Sequence, residues 1–217
     1  MSMFDETDRK VGKLQYMTRE NAEFMRKFIS ERNLSSLLEI GFFKGKSTAY
    51  FAAILEDLGR GHITAIDKKT ALDHEPNIDD VLKTTGLSHR VTRVLSDRSY
   101  TWELLKMMRS AQPPQFEFCY FDGGHTWDAT GFGFVLVDRL LKPGGWIIFD
   151  DLDWTIEKSL ESSPQRENVY RKYGADERTT PAVRLVFETL VKDFGYRNMS
   201  EVSEFSWGVA QKPGGQR

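Results

Sequence analysis

The stretch from Phe116 to Asp151 limits what this chain can fold into more than any other. It reads F-E-F-C-Y-F-D-G-G-H-T-W, continues as an amphipathic run, and closes with L-K-P-G-G-W-I-I-F-D-D. Two short apolar runs end in acid: Phe116 to Phe121 delivers Asp122, and Trp146 to Phe149 delivers Asp150 and Asp151. Such runs, bounded by Gly or Pro, read as buried strands. Residues 127–141 between them are long enough for a crossover helix. A strand–helix–strand unit sets both strands parallel, with their carboxyl ends on one edge. Ligands of open α/β sheets bind at that edge. Three carboxylates and His125 are therefore expected to converge where a ligand sits.

The remaining chain extends the same pattern. Residues 1–13 are polar and expected to be loose. Thr18 suits the cap of a helix reaching Arg32, with Phe24, Phe28 and Ile29 on one face. Strands are expected at 36–40, 62–66 and 91–95, with helices at 47–58, from Pro76 to about Gly86, and at 100–110. Residues 152–180 are charged and lack clean periodicity, which reads as a lid or a surface excursion. A last helix from Thr180 to Phe194 precedes two runs, 196–202 and 205–211, that read as an antiparallel hairpin. The fold expected is α/β: a doubly wound, mostly parallel, Rossmann-like sheet of seven strands with a C-terminal antiparallel hairpin and helices on both faces. The whole chain, 1–217, reads as one domain.

Gly41 and Gly45 follow the first strand and open a helix, so backbone can approach a ligand there. Asp67 ends the next strand, where a carboxylate accepts ribose hydroxyls, although the glycine pattern is not G-x-G-x-x-G. Packing alone would also explain those glycines. Asp97 either reaches a base or caps its helix. Asp122, Asp150 and Asp151 are hard oxygen donors that favour Mg²⁺, Ca²⁺ or Mn²⁺ over zinc. Strand alternation can turn one of the adjacent pair away, and each Asp also suits a turn. His125 is a general base, a metal ligand or a structural residue. H-E-x-x-H, C-x-x-C, G-x-S-x-G and Walker patterns are missing, which leaves zinc-hydrolase, serine-hydrolase and P-loop readings unsupported.

A net charge of −2 argues against a nucleic-acid surface, and no apolar stretch approaches membrane-span length. One cysteine, Cys119, excludes an internal disulfide and fits a reducing compartment. With no apolar leader at the N-terminus, a cytoplasmic location is expected.

Glu39-Ile40-Gly41 through Gly45 and Ser47 matches the E-[IL]-G-x-x-x-G-x-S of one family, and the segments ending at Asp67, Asp122 and Asp151 match its later strands. The chain resembles the class I S-adenosylmethionine-dependent methyltransferases over about residues 15–211. The likeness is strongest to the metal-dependent O-methyltransferases of the catechol and caffeoyl-CoA type and of the macrolide-sugar type. The resemblance implies S-adenosylmethionine held by Met17, Glu39, Gly41, Phe43, Gly45 and Ser47, by Asp67 at the ribose, and by Ser96, Asp97 and Asp122. It implies Mg²⁺ or another hard divalent ion on Asp122, Asp150 and Asp151. His125 stands where the catechol type carries a catalytic lysine and the macrolide-sugar type a histidine, so it is the implied general base beside Asp122. Trp127 and Trp154 become candidates to stack an acceptor ring. A small hydroxylated acceptor (sugar, natural product or phenol) is implied, and homodimers are common in the family. A non-catalytic cofactor-binding subunit and a hydroxylase-like relative are the competing readings.

Overall fold

The computed structural model describes residues 1–215. Seven strands form one sheet in the order β3-β2-β1-β4-β5-β7-β6. They are β1 (Ser36–Ile40), β2 (His62–Lys68), β3 (Val91–Ser96), β4 (Phe116–Phe121), β5 (Leu141–Phe149), β6 (Arg197–Val202) and β7 (Trp207–Gln211). The first five are parallel, while β7 runs antiparallel to β5 and to β6. The expected doubly wound sheet with its closing hairpin is therefore the observed one. After β1 the chain winds outward to β3, then crosses back to pair β4 with β1. That reversal opens a crevice above the tips of β1 and β4.

Strand alternation distributes the core. Phe118 and Tyr120 of β4 pack with Phe51 of α3 (Lys46–Asp57) and with Met25 and Phe28 of α2 (Arg19–Glu31). Cys119 and Phe121 face the opposite way, towards Leu104 of α5 (Tyr100–Met108), Phe134 of α6 (Trp127–Leu140) and Val183 of α10 (Ala182–Val186). A third cluster seats α4 (Ile78–Thr85) beside Phe42 and Ala65. Among the described residues no helix is long and apolar enough to cross a membrane.

Several expectations need correction. Residues 1–13 are not loose: Met3–Val11 forms a helix, α1. Ser2 caps it, Phe4 is wholly buried, and the Asp57 carboxylate accepts from the N–H groups of Met3 (2.6 Å) and Phe4 (3.0 Å). Pro76 precedes its helix, whose cap is Asn77. The 152–180 segment carries three short helices, α7 (Ile156–Ser159), α8 (Arg166–Tyr170) and α9 (Ala175–Thr179). The helix after Pro181 continues from α10 through a π-turn, Phe187–Val191.

Glu117 fastens β4 to its neighbours away from the crevice. Its carboxylate accepts from the N–H groups of Ser35 (2.8 Å) and Ser36 (3.2 Å) and from Lys142 Nζ (2.9 Å). Burial works to raise its pKa, but Lys142 and the two serine residues outweigh burial and hold it at about 2. A depressed carboxyl adds stability above its ordinary pKa of 4.5, and that contribution fades as pH falls towards 2. Glu117→Gln is expected to cost about 1–3 kcal/mol at pH 7. In urea melts the gap should narrow below pH 4.5 and close near pH 2; a gap independent of pH would show that charge is not its source.

Candidate active site at the strand tips

The tips of β1, β2, β4 and β5 surround a cleft of about 900 Å³. Gly41, with φ +85°, lets the chain leave β1 against β4: a Cβ there would lie 1.9 Å from the Asp122 carbonyl oxygen. The N–H groups of Phe42 (2.9 Å) and Phe43 (2.8 Å) donate to Asp67 Oδ2, and that of Lys68 to Oδ1 (2.6 Å). Asp67 thus shapes the glycine loop as well as facing the cleft. A carboxylate has about four acceptor sites, so capacity remains for a ligand hydroxyl. Ser96 also reaches the cleft, and its buried Oγ has no hydrogen-bond partner among the described residues.

Of the residues expected to hold a donor, Met17, Gly41, Phe43, Ser47, Asp67, Ser96 and Asp122 line the cleft. Three do not. Glu39 lies wholly buried beneath it, accepting from Thr48 Oγ1 at 2.5 Å. Burial pushes its carboxyl up to about 8, against the Ser47 and Thr48 hydroxyls, so it supports the start of α3 as a neutral acid. Gly45, φ +86°, caps α3 and packs on Ile78, where a Cβ would come within 2.6 Å. Asp97 is 82% exposed and pairs with Lys69 at 2.5 Å.

The three acids expected to share an ion do not all come together. Asp122, His125 and Asp151 come together, each offering one ligand atom within 4.8 Å of the others. Asp150 stays outside that cluster. Its Oδ1 accepts from Trp207 Nε1 (2.8 Å) and from the Asp151 N–H (2.7 Å), and its Oδ2 from the Tyr120 hydroxyl. The reason is strand parity: Asp150 follows Ile148 onto the face shared with Tyr120 and Trp207. Asp151 then takes a left-handed φ of +58°, which swings its carboxylate to His125. Tyr120 and Trp207 are thus site residues that sequence reasoning missed. Tyr120 looked like plain strand core, and Trp207 arrives from a hairpin distant in the chain.

His125 Nε2 stands 3.1 Å from Asp151 Oδ2 and 3.6 Å from Asp122 Oδ1, and its ring stacks on Trp154 at 4.9 Å. Burial acts to lower the imidazole pKa, but Asp122 and Asp151 outweigh it and push it to about 9. Burial raises Asp122 despite the imidazole. Burial, then Asp122, lifts Asp150 to about 7. The Nε2 makes no hydrogen bond of proper direction, although both carboxylates are near. Two carboxylates and an imidazole this close together offer a donor set that suits a divalent cation. Trp154 lines the cleft; Trp127 does not, and is 40% exposed on α6.

Solved structures share this fold. The O-methyltransferase TomG of Streptomyces achromogenes, solved with SAM, is similar over 99% of this chain and 91% of its own, with 16% identity and a TM-score of 0.65. An O-methyltransferase from Bacillus cereus, solved with SAH, covers 97% and 89% at 15% identity and a TM-score of 0.63. A SAM-dependent O-methyltransferase from Thermotoga maritima covers 100% and 73% at 12% identity and a TM-score of 0.59. No curated protein sequence matches significantly. A family profile described as a methyltransferase domain matches residues 38–152, more than half the chain and the span from β1 to just past Asp151; the chain belongs to that family and is a methyltransferase.

Proposed function

We propose that this methyltransferase moves a methyl group from S-adenosylmethionine to a hydroxyl of a small acceptor, with His125 as general base and a divalent cation held between Asp122 and Asp151. One observation carries the reading: an imidazole and two carboxylates meet beside a glycine loop in a single cleft. A donor of this chemical kind fits the cleft through the Gly41–Ser47 loop, the Asp67 carboxylate and the unpartnered Ser96 hydroxyl. The acceptor class, a sugar, natural-product or phenolic hydroxyl, is the one the family resemblance suggests, and the aromatic ring of Trp154 at the cleft wall beside His125 is compatible with it.

When bound, S-adenosylmethionine supplies an electrophilic methyl on a sulfonium, and a divalent cation makes a nearby hydroxyl more acidic. The chain's own residues align and deprotonate. The glycine loop and Asp67 fix the donor, Trp154 orients the acceptor, and His125 Nε2 takes the hydroxyl proton as the S–CH₃ bond breaks and the O–CH₃ bond forms. Asp150 contributes indirectly, since its carboxylate holds the turn that aims Asp151.

The electrostatics give a test with a sign. Two free carboxylates raise His125 to about 9, so it is protonated and unfit as a base at pH 7. A cation on those carboxylates cancels the charge responsible, and the base becomes available at lower pH. Turnover of a model hydroxyl acceptor in chelator should rise with pH to a midpoint near 9. With excess Mn²⁺ or Mg²⁺ the midpoint should fall by about one unit or more. Equal midpoints, or full turnover in chelator at pH 7, would remove the cation from the mechanism. Titration with S-adenosylmethionine that releases no heat and yields no methylated product would remove the donor.

A further inference from the structure

Lys46 opens α3 at the end of the glycine loop, at the cleft wall, and is 5% exposed. A lysine ammonium has three donors and no acceptor. All three are used here: Nζ donates to the carbonyl oxygens of Gly12 (2.8 Å), Leu14 (2.6 Å) and Tyr16 (2.9 Å). Those oxygens belong to the connection between α1 and α2, and Gln15, Tyr16 and Met17 of that connection line the cleft. Tyr16 and Met17 hold φ of +59° and +34°, a region disfavoured by residues with a Cβ. Such a backbone persists only where its surroundings over-determine it. The ammonium supplies that constraint, because three alternate carbonyls must converge to reach it. The Tyr16 ring is thereby set edge-on to Phe43 at 5.3 Å, and Phe43 lies 4.3 Å from the His74 ring. The wall therefore continues across the glycine loop.

We propose that Lys46 is a positioning residue for donor binding: by gathering the carbonyls of Gly12, Leu14 and Tyr16 it preforms the wall against which the donor packs. The inference rests on the donor reading given above. It differs from a general role in folding because α1 is anchored elsewhere. Asp57 caps its first turn, and the Tyr50 hydroxyl donates to Asp8 Oδ1 at 2.5 Å. Lys46→Met keeps the stem of the side chain and removes only the donors, so it releases the connection while leaving α1 docked. Donor affinity then falls in proportion to the fraction of molecules in which the wall is still formed.

The test uses the full chain with S-adenosylhomocysteine as the probe. In Lys46→Met the dissociation constant should rise about tenfold, as for a wall formed in about a tenth of molecules. The KM for S-adenosylmethionine should rise by a similar factor, with kcat at saturation changed by less than about twofold. Amide hydrogen exchange of the free enzyme should quicken about tenfold across residues 12–18 and stay unchanged across 3–11. Asp57→Asn, which loosens the far end of α1, should leave the dissociation constant unchanged. Wild-type affinity in Lys46→Met, or equal weakening in Asp57→Asn, overturns the proposal. So does a loss confined to kcat. If the wild type binds no S-adenosylhomocysteine, the donor reading itself fails and takes this inference with it. Unaltered exchange across 12–18, with wild-type binding intact, sinks the inference alone.

Discussion

Replacing His125 with alanine is expected to lower kcat by about 10²–10⁴-fold while moving the dissociation constant of S-adenosylmethionine by less than about threefold. The separation follows from where the parts lie. His125 sits in the loop between β4 and α6, its Nε2 near Asp122 and Asp151 and its ring on Trp154. The residues proposed for the donor come from the ends of β1, β2 and β3 and from the connection before α2. Loss of a general base leaves the second set in place. Single-turnover methyl transfer and calorimetric titration read the two quantities independently. Equal losses in both would show that His125 holds the donor rather than the proton. A third outcome is also readable: a collapse of Mn²⁺ affinity with donor affinity intact would make the imidazole a ligand, in the trio that its position already permits.

Gly41→Ala should be the most damaging single methyl group that can be added to the cleft. The new Cβ would stand 1.9 Å from the Asp122 carbonyl oxygen and 2.8 Å from its carbonyl carbon. Both are backbone atoms, so no rotamer change relieves the clash. The φ of +85° adds a conformational cost for any residue with a Cβ. Overpacking and the left-handed backbone together should cost about 3 kcal/mol or more. For a chain of this size that lowers Tm by roughly 6–12 °C. The strand pairing around the clash holds Asp122 through its N–H to the Ile40 carbonyl (2.8 Å), so the carboxylate should shift with the strand tip. Donor binding and turnover should both be lost. An alanine variant with wild-type Tm and affinity would mean that β1 and β4 do not approach so closely at their tips.

Much of this architecture was legible locally. The bounds expected for β1 and β4, 36–40 and 116–121, are the observed ones, because apolar runs closed by glycine or acid leave little freedom. Helix α1 was not legible in the same way. Only Phe4, Thr7 and Val11 of its nine residues are buried, and its anchors, Asp57 and Tyr50, lie far along the chain. The correction at Asp150 has a related origin. The sequence places two acids after β5, but their directions depend on strand parity, on the φ of Asp151, and on the donors of Tyr120 and Trp207. Asp97 likewise follows β3 yet turns outward to Lys69, so only Ser96 of that pair remains in the cleft.

The sequence alone determined the order of the strands, the parallel sheet and the edge at which chemistry gathers. These are set by apolar periodicity and by acids and glycines at strand ends, all readable within short windows. The tertiary structure alone decided which carboxylates meet His125, and that Lys46 Nζ gathers the carbonyls of Gly12, Leu14 and Tyr16. Those outcomes depend on the directions of side chains and on partners many residues apart. Such directions are fixed only when buried donors and acceptors must all be satisfied at once.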